Sequence, residues 1–88
     1  MISDDDLNVI LTHAREYKLK KVILFGSSKE REDARDIDIG VKGLAPEVFF
    51  EFCWKVYRDL SKPVDVIDLS QRCLFTELIE KDGLVLYG

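Results

Sequence analysis

Two aspartates one residue apart, Asp36-Ile37-Asp38, follow an apolar run that ends in Gly26-Ser27, and a third, Asp65, stands inside a later run of Val and Ile. In an extended strand successive side chains leave on opposite faces, so Asp36 and Asp38 share one face while Ile37, Ile39 and Val41 share the other. Such a strand offers carboxylates on one side and core contacts on the other. Mg²⁺ takes hard oxygen ligands and commonly meets one or two carboxylates plus substrate phosphate, which two same-face aspartates about 7 Å apart supply. The spacing suits a pair of ions better than one. Gly26-Ser27 puts a residue without Cβ, then a hydroxyl, at a turn where backbone N–H groups can face phosphate oxygens.

Asp65, in Pro63-Val64-Asp65-Val66-Ile67-Asp68, is costly to bury alone, so it meets a cation or sits at an exposed edge. If its strand lies beside that of Asp36 and Asp38, the set becomes the three carboxylates that two-metal phosphoryl-transfer sites use. Asp68, three residues on, faces the other way and suits a cap on the following helix. With ten Asp in 88 residues, an Asp-x-Asp pair alone carries little weight, as Asp4-Asp5-Asp6 illustrates. Its place after the Gly-Ser turn is what makes this one informative. Lys29, Arg31 and Arg35 lie between the two motifs, either to touch a triphosphate tail or simply to solvate a loop.

The elements that must position these residues are legible in outline. Ser3 as N-cap, Asp4 to Asp6 in the first turn, and Leu7, Ile10, Leu11, Ala14 and Tyr17 at helical spacing predict a helix over residues 4–18. Val22 to Phe25 is apolar on both faces and predicts a strand buried between layers. Residues 27–35, charged and aperiodic, predict an exposed loop; Asp36 to Val41 predicts the second strand. Pro46 opens a helix through Leu60 with Phe49, Phe52, Cys53, Val56, Tyr57 and Leu60 on its core face. Phe50 and Trp54 fall outside that face and form an apolar patch suited to a partner. A strand over Val64 to Leu69, a helix over Gln71 to Lys81 closed by Gly83 at C′, and an apolar tail over Leu84 to Tyr87 complete the chain.

Size and composition limit the function. A chain of 88 residues is one domain, with no room for a separate acceptor-binding domain. The net charge of −4, without a basic stripe, argues against long nucleic acid as a ligand. No apolar run is long enough for a membrane span and the acidic start is unlike a signal peptide, so a cytoplasmic protein is expected. Cys53 and Cys73 have no metal-binding company and are expected as buried reduced thiols. His13 is expected as a solvated helix residue, since no orienting partner is visible near it.

Taken in order, Val22-Ile23-Leu24-Phe25-Gly26-Ser27, Asp36-Ile37-Asp38-Ile39, Val64-Asp65-Val66 and Gly83-Leu84-Val85-Leu86-Tyr87 resemble the minimal nucleotidyltransferase family of the DNA polymerase beta-like superfamily. Two departures are a shorter loop, eight residues from Ser28 to Arg35, and Arg31 where the family carries a second glycine. The resemblance implies an α/β (α+β) nucleotidyltransferase fold, a small mixed sheet with helices packed on it. It further implies Gly26, Ser27 and the adjoining Ser28 on the nucleotide, and Asp36, Asp38 and Asp65 as catalytic ligands of two Mg²⁺. By the same resemblance, such a protein transfers AMP from ATP to a tyrosine hydroxyl of an all-helical HEPN-domain toxin, as its antitoxin. A protein that only binds and covers the toxin is the alternative.

Overall fold

The structure is a computed structural model that describes residues 2–31 and 33–88. Among the described residues nine segments of regular structure follow one another: α1 (Asp4–Glu16), β1 (Lys21–Phe25), α2 (Ser27–Glu30), β2 (Ile37–Lys42), a 3₁₀ turn (Pro46–Val48), α3 (Phe49–Asp59), β3 (Val64–Asp68), α4 (Leu74–Asp82) and β4 (Leu84–Tyr87). The four strands form one mixed sheet in the order β3-β2-β1-β4. β1 runs antiparallel to both β2 and β4, and β2 runs parallel to β3. The tail over Leu84 to Tyr87 thus adds an edge strand.

Alternation along the strands sorts the core into two layers. Val22 and Leu24 of β1 and Ile37, Ile39 and Val41 of β2 pack with Ile10 and Ala14 of α1 and Phe52, Val56 and Leu60 at α3. The opposite face is smaller, with Ile23 of β1 meeting Leu69 and Ile79 of α4, flanked by Phe25 and Ile67. A central strand apolar on both sides is what this two-sided burial requires. Asp38 and Gly40 alternate with the buried isoleucines of β2, so both look toward the thinner α4 layer.

Helix α1 starts where Ser3 Oγ accepts the Asp6 N–H at 3.2 Å. Asp6 does more than favour the helix dipole: it is buried, and its carboxylate accepts the Ser61 backbone N–H at 3.0 Å and the Ser61 hydroxyl. It ties α1 to the turn after α3. Between β1 and β2 the expected loop contains one short helix, α2. The buried Ser28 hydroxyl donates to the Phe25 carbonyl at 2.8 Å and the Arg31 N–H to Ser27 O at 2.9 Å, closing a turn that has no hydrophobic period to announce it.

Three other boundaries move for local reasons. α4 begins at Leu74 because Cys73 and Thr76 form a capping box there. Asp68 accepts the Ser70 N–H at 2.9 Å and holds the preceding turn, so the cap expected of it on the helix is absent. Gly83 is extended, at φ −73° and ψ 165°, and has no left-handed C′ geometry. Glycine is needed there for space, since a Cβ would lie 2.2 Å from Ile23 Cγ2 and 2.5 Å from the Ile79 carbonyl oxygen. No helix among the described residues is long and apolar enough to cross a membrane.

Candidate functional site

The site forms where β1 ends and β2 begins. Phe25 and Asp38 are register partners, and the chain leaves Phe25 through Gly26 at φ +68°, ψ −157°, a backbone conformation that only glycine adopts without strain. Gly26 is required twice over, because a Cβ on it would stand 2.6 Å from Asp38 Oδ2. The bare backbone therefore runs directly against the carboxylate. Ser28 fixes the arrangement from beneath, donating to the Phe25 carbonyl and accepting the Asp38 N–H at 3.1 Å. Expected among the nucleotide contacts, Ser28 is buried, and its hydroxyl is committed to holding the ends of β1 and β2 together.

β3 brings the third aspartate into place. Asp65 is the parallel-register partner of Asp38, so the two share a face of the sheet, and Asp65 is exposed on the edge strand. Asp65 thus occupies the exposed edge that was one of the two settings expected for it, and that position leaves its carboxylate open to a cation. Asp36 lies one residue outside β2, in the bend that enters it. Partial burial pushes the Asp38 carboxyl above the ordinary carboxylate range, and the neighbouring charges of Asp65 and then Asp36 push it the same way. All three carboxylates thus bear on one locus.

Oxygen-only donors and accumulated negative charge fit a hard divalent cation such as Mg²⁺ by type. Among the described residues, however, no three acidic, histidine or cysteine side chains converge as a ready-made metal cage. The fit is one of donor chemistry and register.

A polar cleft of about 390 Å³ opens beside Asp36 and Asp38, lined also by Ser27, Arg31, Asp33 and Arg35. Arg31 is held by Asp33 through two hydrogen bonds of 3.0 Å, whereas Lys29 turns away to donate to the Asp82 carbonyl at 2.7 Å. Of the three loop cations, Arg31 and Arg35 line the cleft and Lys29 braces α4.

Away from the site, two expectations are corrected. His13 is buried, with Nδ1 3.0 Å from Glu16 and Nε2 2.9 Å from Asp59, joining α1 to the end of α3. Its partner Asp59 stands 46 residues away, beyond the reach of local pattern. Arg58 and then His13 hold the Asp59 carboxyl far below its usual range. Cys73 is exposed at the N-cap of α4, where the Thr76 N–H lowers its thiol pKa, and Cys53 is half-buried, its thiol pushed up by burial.

No family model and no curated protein sequence matches the chain. Solved structures do. A chain of the toxin–antitoxin MntA–HepT crystal structure matches with a TM-score of 0.69 and 27% identity over 94% of this chain and 70% of that one. A toxin–antitoxin structure with AMP-PNP matches with a TM-score of 0.72 and 27% identity over 93% and 73%. The complex of a tri-AMPylated HEPN toxin with its MNT antitoxin from Shewanella oneidensis gives 0.70 and 27% over 94% and 70%. The four-stranded mixed sheet with its helices is thus a nucleotidyltransferase-like α+β fold. Within that class the chain is similar to the MntA-type, minimal nucleotidyltransferase antitoxins of these complexes.

Proposed function

We propose that this protein is a metal-dependent nucleotidyltransferase that moves AMP from ATP to a hydroxyl, a tyrosine, of a HEPN-domain toxin and so acts as its antitoxin. The observation that carries the reading is the Asp38 locus: a carboxylate with a raised pKa, in register with Asp65, near Asp36, and faced by the bare backbone of Gly26. In the transfer, the acceptor oxygen forms a bond to the α-phosphorus as the bond from that phosphorus to the β-phosphate oxygen breaks. Pyrophosphate leaves, and the hydroxyl proton passes to a carboxylate. Asp65 suits that last role because it is exposed at the sheet edge, where an acceptor from another protein has access. Gly26 and Ser27 would face the phosphates. Asp36, Asp38 and Asp65 would hold two Mg²⁺, which supply charge stabilisation to the phosphoryl oxygens.

The toxin–antitoxin complexes among the structural neighbours, one with AMP-PNP and one with an AMPylated toxin, support this partner and this nucleotide. A second reading, a module that silences the toxin by contact alone, draws on α3, where Phe50 is 83% and Trp54 59% exposed. Intact-mass measurement of a purified HEPN-domain partner, mixed with the protein in the presence and absence of Mg-ATP, separates the two. Addition of one or more AMP units supports transfer. A stable complex of unchanged mass would leave only the binding role.

A further inference from the structure

We infer that the apolar cleft between the end of β1 and α4 holds the heterocyclic base of the nucleotide. The inference rests on the transferase reading and adds the place of the base to it. The cleft measures about 420 Å³, within the range of small-molecule sites, and is lined by Phe25, Phe75, Leu78 and Ile79 with Gly26 and Ser27 at one end. Ser27 also lines the carboxylate cleft, so the two spaces meet at the Gly-Ser turn. They lie on the same side of the sheet, because Phe25 and Asp38 are register partners. A ligand with a charged tail and a flat neutral head can therefore cross the turn with one end in each.

The lining chemistry sets the direction. Phe75 meets Phe25 edge to face, with ring centres 5.8 Å apart and planes at 83°, yet remains 51% exposed, so much of its surface is free to contact a planar group. Leu78 beside it is 55% exposed. These apolar surfaces are better covered by a base than by a phosphate. The charged side chains of this cleft are Lys29, Glu30 and Asp82, whereas the other holds Arg31 and Arg35 beside the aspartates proposed to bind metal, which is where a triphosphate belongs. Lys29, donating to the Asp82 carbonyl, pins the last turn of α4 to α2 and keeps the cleft in shape.

The test is calorimetric titration of the protein with Mg-ATP and with Mg-tripolyphosphate, which has the tail but no base. Phe75→Ala and Leu78→Ser, both at exposed positions, should each weaken ATP binding by on the order of tenfold, the scale of a lost base–aromatic or apolar contact. Tripolyphosphate binding should not change. Unaltered ATP affinity in both variants, or equal affinity of the parent for ATP and tripolyphosphate, would overturn the base site and leave the transferase reading standing. A parent that binds neither ligand would overturn both.

Discussion

Asp38 is where burial and like charge act on one carboxyl group. Its pKa is raised in the folded protein, so the native state binds that proton more readily than the unfolded chain does. Stability from this group therefore falls as pH rises from the ordinary carboxylate value through the raised one, the opposite of the trend set by Asp59. Asp38→Asn removes the titration. In chelator, the variant should melt at or above the parent temperature at neutral pH, with the difference closing as the pH approaches about 4. A clear loss of stability at neutral pH would make Asp38 a structural residue and remove the support for its catalytic role. Ser28 makes the opposite demand. Ser28→Ala strands the Phe25 carbonyl and the Asp38 N–H, and urea unfolding should register a cost of about 1–3 kcal/mol.

At the scale of elements, the strands were readable and the joints were not. β1 declares itself by being apolar on both faces and β2 by alternating aspartate with isoleucine, and the structure places both within a residue or so of expectation. The three aspartates and Gly26 were also legible, because residue type and order carry their chemistry. The parallel register that sets Asp65 against Asp38 was only a condition of the reading, since pairing between strands is decided by contacts distant in sequence. The same limit hid Asp59 as a partner of His13, though Glu16 lies only three residues away. α2 and the start of α4 depend on hydroxyl and thiol hydrogen bonds, which leave no periodic trace.

Gly83 tests how tightly such a joint is built. A glycine at ordinary negative φ normally gains stability on conversion to alanine, by about 0.4–1 kcal/mol. Here the added methyl meets Ile23 and the Ile79 carbonyl, so Gly83→Ala should instead destabilise by about 1–3 kcal/mol in denaturant titration. A neutral result would mean that α4 and β4 yield easily, and that the α4 wall of the cleft is soft.

At the scale of the whole molecule, two helices among the described residues carry apolar exposures. Leu74, Phe75 and Leu78 stand on α4, and Phe50 and Trp54 on α3, joined there by Tyr57, which was expected on the core face but is exposed. The helices bearing them pack on opposite faces of the sheet. If the first serves the nucleotide and the second the partner, their substitution should dissociate the two activities. Trp54→Glu should weaken the complex with a HEPN-domain protein at least tenfold by surface plasmon resonance, with Mg-ATP affinity unchanged. Loss of the folded circular-dichroism spectrum in that variant would mean that Trp54 is a packing residue and that the partner surface lies elsewhere.

The sheet ends in two unlike margins. β4 presents Leu84 and Val85 to solvent without a charge in the strand, while β3 carries Asp65 and Asp68 among Val64, Val66 and Ile67. An open strand is a template for another, and charge along it is a common defence against edge-to-edge association. Asp65 therefore guards solubility with the same carboxylate that is proposed to receive a proton. Asp65→Val would turn the margin into an uninterrupted Val-Val-Val-Ile run and should aggregate on concentration, visible by light scattering, whereas Asp65→Asn should stay dispersed.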